Sequence, residues 1–229
     1  MNAALAGRQV LVSAGPTFED IDPVRFIGNR SSGKMGFAIA AVAAARGAGV
    51  TLVAGPVHLP TPPGVQRIDV RSAAQMFDAV MDALPTDVYV GAAAVAAYAP
   101  RAFAADKLKK LPLGEGRARD SLTLELVPTR DILAEVAAHA RRPALVVGFA
   151  AETRDVAAYA RAKRERKGAD LICANRVGVG ATGFESDDNA LLVLGAQGFE
   201  RALGPASKTE LAARLLDLIA GRLPGLRNG

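Results

Sequence analysis

An α/β fold with a mostly parallel sheet, helices on both faces, antiparallel edge strands and a flap is the architecture that the sequence predicts. Short apolar runs of strand length alternate with helical runs along most of the chain, a pattern typical of parallel sheets covered by helices. Half of the 229 residues are apolar, which is enough for a large core. A short turn separates the runs at 190–194 and 199–203, which predicts an antiparallel edge pair. Together these features predict a Rossmann-like fold and one domain over residues 1–229.

The first half of the chain contributes four strands and two helices. Each strand is a short apolar or alternating run that ends at Gly, Pro or polar residues. The first helix begins at Ser32 or Gly33 and has Gly47 as its C-cap, and Ser72 with Gln75 predicts a capping box for the second helix. Strands are predicted at 8–14, 50–54, 65–70 and 88–95, and helices at 33–46 and 73–84.

The second half begins with a basic segment, 101–120, which we predict to be a flap. Thr129 can cap the next helix, and Ser207 with Glu210 predicts a second capping box. Strands are predicted at 121–127, 144–150, 169–174, 190–194 and 199–203, and helices at 131–140, 156–167 and 208–223. The remaining segments are a long polar loop at 16–32, a polar turn at 184–189 and a frayed tail at 224–229.

Composition and charge narrow the function. The net charge of +5 suits a phosphorylated small molecule, while the absence of Trp and the few aromatic residues disfavour base-stacking nucleic-acid modules. The single cysteine, Cys173, lies in a predicted buried strand, which excludes a disulfide framework and is typical of a reducing cytoplasm. The first residues lead directly into a strand, and apolar runs are too short to span a membrane. We therefore expect a cytoplasmic protein without a nucleic-acid or membrane partner.

The segment 28–36 is the strongest local signal for a binding site. Its glycines, serines and Lys34 precede a predicted helix, and the first N–H groups of a helix favour an anion. Asn29 adds a side chain that both donates and accepts hydrogen bonds. Met35 stands where a P-loop needs Ser or Thr for Mg²⁺, so a true P-loop is disfavoured. A helix cap without a ligand remains the alternative.

Several other polar segments are expected at the same edge of the sheet, because ligands of such sheets bind at the carboxyl ends of the strands. Lys163 and Lys167 share a helix face at i and i+4, and they form either a phosphate clamp or a solvated basic face. Lys107 in the flap has the same two interpretations. The segments that this rule places along one rim with Asn29 are 93–98, 129–131 and 149–152.

Five blocks of sequence together resemble a known enzyme family. They are SAGPT at 13–17, DPVRFI at 22–27, NRSSGKMG at 29–36, GFAAET at 148–153 and KRERKGADLICAN at 163–175. In this order they resemble phosphopantothenoylcysteine synthetase (phosphopantothenate–cysteine ligase) of the bacterial CTP-using type, over residues 7–223. In many bacteria that synthetase is fused to a flavin-dependent decarboxylase. Nothing here resembles the decarboxylase, so we expect no flavin and either a stand-alone enzyme or an excised domain.

The resemblance implies a reaction and its partners. The enzyme would join 4′-phosphopantothenate to L-cysteine through an acyl-cytidylate, using CTP with Mg²⁺ and releasing pyrophosphate and CMP. Members of the family are homodimers, and the resemblance implies the same here, with the flap near the partner.

The resemblance also implies roles for individual residues. Asn29 would contact the acyl-cytidylate, and Lys107 would act in its conversion, which makes both catalytic. The loop that holds the substrate phosphate or the intermediate would include Arg25, Ser31, Ser32, Gly33 and Lys34. Contacts to CTP would come from Ala93, Ala94, Val95, Ala97, Lys107, Arg130, Asp131, Ile132, Leu133, Phe149, Lys163 and Lys167.

One position departs from the family pattern. The family has Asp where this chain has Ala97, and that Asp is expected near the nucleotide and its cation, so the metal ligands here are unknown. This leaves open a nucleotide-binding homologue with impaired activity. A nicotinamide-dependent reductase on the same kind of sheet is a further alternative, although no G-x-G-x-x-G follows the first strand.

Overall fold

The computed structural model describes residues 5–109, 122–152, 154–176 and 188–224. The strands within these residues are β1 (Gln9–Ala14), β2 (Phe18–Asp20), β3 (Phe26–Gly28), β4 (Gly49–Ala54), β5 (Val65–Asp69), β6 (Val88–Gly91), β7 (Tyr98–Pro100), β8 (Leu126–Pro128), β9 (Leu145–Glu152), β10 (Leu171–Arg176), β11 (Asp188–Leu194) and β12 (Glu200–Ser207). The helices are α1 (Lys34–Ala45), α2 (Ala73–Asp82), α3 (Ile132–Ala138), α4 (Val156–Lys167) and α5 (Lys208–Ala220).

Eight of these strands form one sheet in the order β12-β11-β10-β9-β6-β1-β4-β5. The six strands from β5 to β10 in this order pair in parallel, and β11 and β12 complete the edge as antiparallel strands. The predicted Rossmann-like class, with its mostly parallel sheet and antiparallel edge, is confirmed. The carboxyl ends of β1, β6, β9 and β10 meet at one rim of this sheet.

The two faces of the sheet carry separate apolar layers, because side chains of a strand alternate between its faces. Val10 and Val12 pack with residues of α1 and α5, such as Leu215, whereas Leu11 packs with residues of α2, α3 and α4, such as Met76. Each of these large side chains is almost fully buried, which stabilises the fold by about 1.5–3 kcal/mol per residue.

Two small hairpins lie outside the large sheet, and of their four strands only β8 overlaps a predicted strand, the one at 121–127. β2 pairs with β3 inside the segment predicted to be a loop, and β7 pairs with β8. The predicted strand 88–95 ends at Gly91, because the chain then turns toward β1: Ala92 N–H donates to the Ser13 carbonyl and Ala94 N–H to the Gly15 carbonyl. The predicted strand 121–127 is likewise reduced to β8 among the described residues.

The helix caps predicted from the sequence are only partly present in the structure. The Ser72–Gln75 capping box is present at α2. Thr129 does not cap α3, and that prediction is wrong: Asp131 accepts from Ala134 N–H at 3.2 Å, while the Thr129 hydroxyl donates to the Ala96 carbonyl at 2.6 Å. Asp131 directly precedes the first helical residue, Ile132, whereas Thr129 lies two residues earlier, so the aspartate is the N-cap.

The second capping box is only partly confirmed. Ser207 accepts from Glu210 N–H, but the Glu210 carboxylate pairs with Arg214 one turn further along α5.

The first part of the predicted flap, 101–109, is irregular and is held against the β2–β3 hairpin. Ala104 N–H donates to the Ile21 carbonyl at 2.9 Å, and Leu108 N–H donates to the Asp22 carboxylate at 3.1 Å. The rest of the flap, most of the predicted turn at 184–189 and the tail beyond 224 lie outside the described residues. Among the described helices, none is long and apolar enough to cross a membrane.

Candidate functional site

Two adjoining cavities form a cleft at the carboxyl ends of the central strands. The loop cavity, of about 420 Å³, is bordered by the loop 29–36 and the start of α1. The cap cavity, of about 350 Å³, is bordered by residues 129–133 at the start of α3. Both are lined by Ala93, Val95, Phe149 and Lys163, so they are two parts of one cleft.

The loop cavity has the geometry of an anion site. Gly33 is the N-cap of α1 with a φ of 74°, a left-handed conformation that glycine adopts readily, and the helix start has no side-chain cap. Gly36 lies so close to Ala14 on β1 that a Cβ there would be 2.5 Å from the Ala14 Cβ. This close approach holds the helix N-terminus at the rim, where the first N–H groups favour a negative charge.

Asn29 connects this loop to the segment that follows β6. Its side-chain amide donates to the carbonyls of Ala94 and Val95, at 3.2 Å and 3.0 Å. The predicted loop residues Ser31, Ser32, Gly33 and Lys34 and the predicted backbone segment 93–95 are therefore brought together around one cavity.

Lys163 lies at the junction of the two cavities. Its ammonium group donates to the Phe149 carbonyl at 2.7 Å. Burial lowers the pKa of Lys163, while the charge of Glu152 acts in the opposite direction. Lys167, one turn further along α4, lines the cap cavity and pairs with the Asp131 carboxylate. The two lysines thus face the cleft together, as the i, i+4 spacing predicted.

The other predicted CTP residues also line the cap cavity: Ala97, Arg130, Asp131, Ile132 and Leu133. The Arg130 guanidinium lies 3.3 Å from the centre of the Phe77 ring and 3.7 Å from the Glu135 carboxylate. These contacts hold the Arg130 guanidinium beside the cavity.

A buried hydroxyl pair on the wall of the cap cavity was not predicted. Ser13 Oγ and Tyr89 Oη are 2.9 Å apart. Burial raises the pKa of Tyr89 to about 12, although the hydrogen bond with Ser13 acts against it. Tyr89 thus keeps its proton at neutral pH.

Three more polar residues were missed on the far wall of the loop cavity: Asn175 on β10, Asn189 on β11 and Lys208 at the start of α5. All three are less than a tenth exposed. The available signal was a polar residue within or just after an apolar strand, as in LICAN at 171–175.

Two predicted residues lie away from the cleft. Lys107 is exposed and lines neither cavity. Arg25 also lies outside both linings; it pairs with Asp22 at 3.0 Å and donates to the Leu108 carbonyl. Their predicted roles stay predictions.

The cleft does not offer a protein cage for a metal ion. Among the described residues, no three His, Cys, Asp or Glu side chains are grouped closely enough to hold one. Asp131 is already paired with Lys167, and Ala97 has no ligand atom in its side chain. A hard cation such as Mg²⁺ needs several oxygen ligands, so these residues fit a resident metal poorly.

A Rossmann-like sheet with a cationic cleft at the carboxyl ends of its strands defines an α/β protein suited to a phosphorylated small molecule. Residues 5–223 match the family described as DNA/pantothenate metabolism flavoprotein C-terminal domain, and the chain belongs to this family.

The relatives give this assignment more detail. The coenzyme A biosynthesis bifunctional protein CoaBC of Vibrio cholerae is 51% identical over 216 residues, which cover 94% of this chain and 53% of that protein. CoaBC of Escherichia coli is 50% identical over 214 residues, covering 93% and 52%. The crystal structure of the C-terminal domain of a CoaBC is 37% identical with a TM-score of 0.78, covering 96% of this chain and 97% of that one. The chain spans about half the length of the curated relatives it matches.

Proposed function

We propose that this chain is a CTP-dependent phosphopantothenate–cysteine ligase, a single synthetase domain that acts in coenzyme A biosynthesis. The observation that carries the proposal is one cleft that contains the Asn29 loop, the start of α1, Lys163 and Lys167, in a chain of this family. Such a cleft can hold two phosphorylated substrates side by side.

The reaction has two steps. A carboxylate oxygen of 4′-phosphopantothenate attacks the α-phosphorus of CTP, the bond to the bridging oxygen of the β-phosphate breaks, and pyrophosphate leaves. The amine nitrogen of cysteine then attacks the acyl carbon of the cytidylate. The bond from that carbon to the phosphate oxygen breaks, and CMP and a proton are released with the amide product.

Positioning and charge stabilisation supply the catalysis in this proposal. Lys163 and Lys167 stabilise the negative charge that builds on the phosphates during the first step. Asn29 holds the acyl-cytidylate, and backbone groups of residues 93–95 contact the cytosine. Lys107 acts in the second step when the flap approaches the cleft. Mg²⁺ would come with the nucleotide, since the residues of the cleft fit a resident metal poorly, and it would neutralise charge on the phosphates.

Ala97 gives a second candidate function its support. It lines the cap cavity at the position where the family pattern has Asp, so a homologue that binds the nucleotide but turns over slowly is the alternative. The nicotinamide reductase has no comparable support, because the family assignment and the missing glycine fingerprint both disfavour it.

The setting of the enzyme is proposed on the same basis. A homodimer is supported by exposed apolar side chains on the two small hairpins, and a fusion partner by the length of the relatives. The cytoplasm is supported by the single buried cysteine.

Ligand-induced stabilisation and pyrophosphate release test the proposal together. We expect CTP to raise the melting temperature more than ATP does, because a ligand that binds only the folded state stabilises it. We expect pyrophosphate release from CTP only when 4′-phosphopantothenate is present, and amide formation only when cysteine is added. Equal stabilisation by ATP and CTP, with no substrate-dependent pyrophosphate, contradicts the ligase. If CTP stabilises the protein more than ATP but no pyrophosphate is released, the impaired homologue is the correct alternative. In that case we expect Ala97→Asp to restore pyrophosphate release.

A further inference from the structure

The far wall of the loop cavity is a polar surface whose ligand is not yet assigned. It consists of Asn175, Asn189 and Lys208, which we call the amide wall. These residues come from β10, β11 and the start of α5. In the sheet order, β9 separates β10 and β11 from β6, whose following segment holds Asn29, so the amide wall lies across the cavity from the Asn29 loop. Their exposed fractions are 9%, 6% and 7%, and all three line this cavity.

Hydrogen-bonding capacity remains on this wall. Among the described residues, the side-chain amide of Asn175 has no hydrogen-bond partner, although the residue is nine-tenths buried. The Asn189 Oδ1 accepts from the N–H of Ala190 at 2.8 Å, and that contact does not use its NH₂ group. Because buried polar groups are nearly always paired, the amides are suited to a polar ligand in the cavity.

The net charge of the amide wall indicates which kind of ligand it would bind. Two neutral amides and one ammonium group carry a single positive charge, which matches a carboxylate. A phosphate ester or pyrophosphate carries more negative charge, and the cationic side of the cleft already meets that need through Lys163, Lys167 and the start of α1. An amide also offers an acceptor oxygen for an amine N–H. The wall is therefore built for a zwitterion of small size.

We propose that the amide wall is the subsite for the amino-acid co-substrate, with Lys208 and Asn175 binding its α-carboxylate. This inference rests on the proposed function and adds the location of the second substrate. The carboxylate on the amide wall directs the amine toward the middle of the cavity, where Phe149 and Ala151 lie between the wall and the Asn29 loop. The acyl carbon must be held at that place for attack.

The experiment compares cysteine with cysteamine, which has the amine and thiol but no carboxylate. Amide formation is measured against the concentration of each, and pyrophosphate release is measured separately without either. In the unmodified protein we expect cysteine to be preferred. In Lys208→Met and in Asn175→Leu we expect the KM for cysteine to rise about 10- to 100-fold, the effect of losing a hydrogen bond to a charged group, with the KM for cysteamine little changed.

Two controls separate this effect from damage to the fold. Arg214→Met alters a cation on the same helix, which is paired with Glu210 and outside both cavities, and it should keep the full preference for cysteine. Lys208→Arg keeps the charge and should restore part of the preference. Melting curves establish that each variant is folded.

The outcomes are distinct. If the ratio of the KM for cysteine to the KM for cysteamine is unchanged in a folded Lys208→Met, the proposed subsite is wrong. Amide formation by the unmodified protein would still support the ligase. A rise in the KM for 4′-phosphopantothenate or CTP instead of cysteine overturns it in favour of a phosphate site. If Lys208→Met does not fold, Asn175→Leu serves as the test variant, and the same ratio of KM values is measured for it. Absence of any substrate-dependent pyrophosphate from the unmodified protein rejects the proposed function and the subsite with it.

Discussion

Lys163 lies where the loop cavity and the cap cavity adjoin. Its ammonium group is tied to the Phe149 carbonyl and borders both parts of the cleft. Burial lowers the pKa of this group, and a nearby polyanion would favour its charged form again. A buried cation with a backbone partner is well placed to bind a phosphate without reorganising.

The replacement Lys163→Met tests this role at the scale of one residue. It keeps an unbranched side chain one atom shorter and removes the charge, so we expect CTP to bind about 10- to 100-fold more weakly, as for loss of a charged hydrogen bond. Calorimetric titration with CTP measures the change. The control is Arg166→Met on the same helix, which lies outside both cavity linings. If both variants lost CTP affinity to a similar extent, the cause would be the change in net charge and not a specific contact of Lys163.

Individual site residues could be predicted where a suitable side chain stood at an informative position within one segment of the sequence. Lys163 and Lys167 were identified by their spacing, and Asn29 by its place in a glycine- and serine-rich loop. Asn175, Asn189 and Lys208 were missed because three separate elements bring them together, which spacing along one segment cannot reveal.

At the scale of elements, the β2–β3 hairpin is joined to the start of the flap by one buried carboxylate. Asp22 accepts from the N–H groups of Val24 and Arg25, both at 2.8 Å, and of Leu108 at 3.1 Å. Burial acts to raise the pKa of Asp22, but these three hydrogen bonds and the charge of Arg25 more than offset it and hold the pKa below 3.8. The ionised form is therefore the one that joins the two elements.

This arrangement gives stability a definite pH dependence. Because the folded-state pKa of Asp22 is depressed, its contribution is fully present above the unfolded pKa of 3.8 and is lost as the pH falls through the lower folded value. Urea unfolding of the protein and of Asp22→Asn should differ most at neutral pH. The difference should shrink as the pH falls below about 4, the ordinary range of an aspartate. A difference that does not change with pH would mean that the Asp22 charge is not what links the elements.

The sequence predicted long elements well and short ones poorly. β2, β3 and β7 were missed because they have three residues each, too few to show alternation, and β8 is shorter than the strand predicted at 121–127. The cap of α3 was misassigned because Thr129 and Asp131 both have capping side chains, and only the fold decides that the Thr129 hydroxyl is used by Ala96.

At the scale of the whole molecule, exposed apolar surface is concentrated on one region. Large exposed apolar side chains of the described residues lie on the two small hairpins and the segments beside them: Val24, Phe26, Tyr98, Phe103, Leu122 and Leu126. Tyr159 on α4 is the exception. Contiguous apolar surface is typical of an association site, and it supports the proposed homodimer with the flap near the partner.

Sedimentation equilibrium tests the dimer. We expect the protein to sediment as a dimer and Phe103→Glu to shift it toward the monomer, because a charge in an apolar interface costs desolvation. Tyr159→Glu, at an exposed aromatic residue on α4 and not on the hairpins, should leave the dimer intact. A monomeric parent protein, or equal dissociation in both variants, would remove the proposed surface.

The burial of Cys173 has a consequence for the proposed reaction, in which an aminothiol is a substrate. It is the only cysteine of the chain, lies fully buried in β10, and burial raises its thiol pKa far above neutrality. Exchange with an oxidised thiol requires an accessible thiolate. The folded protein thus cannot be trapped through this thiol as a mixed disulfide with the aminothiol proposed as its co-substrate, and the proposed activity should persist when cystine accumulates around it.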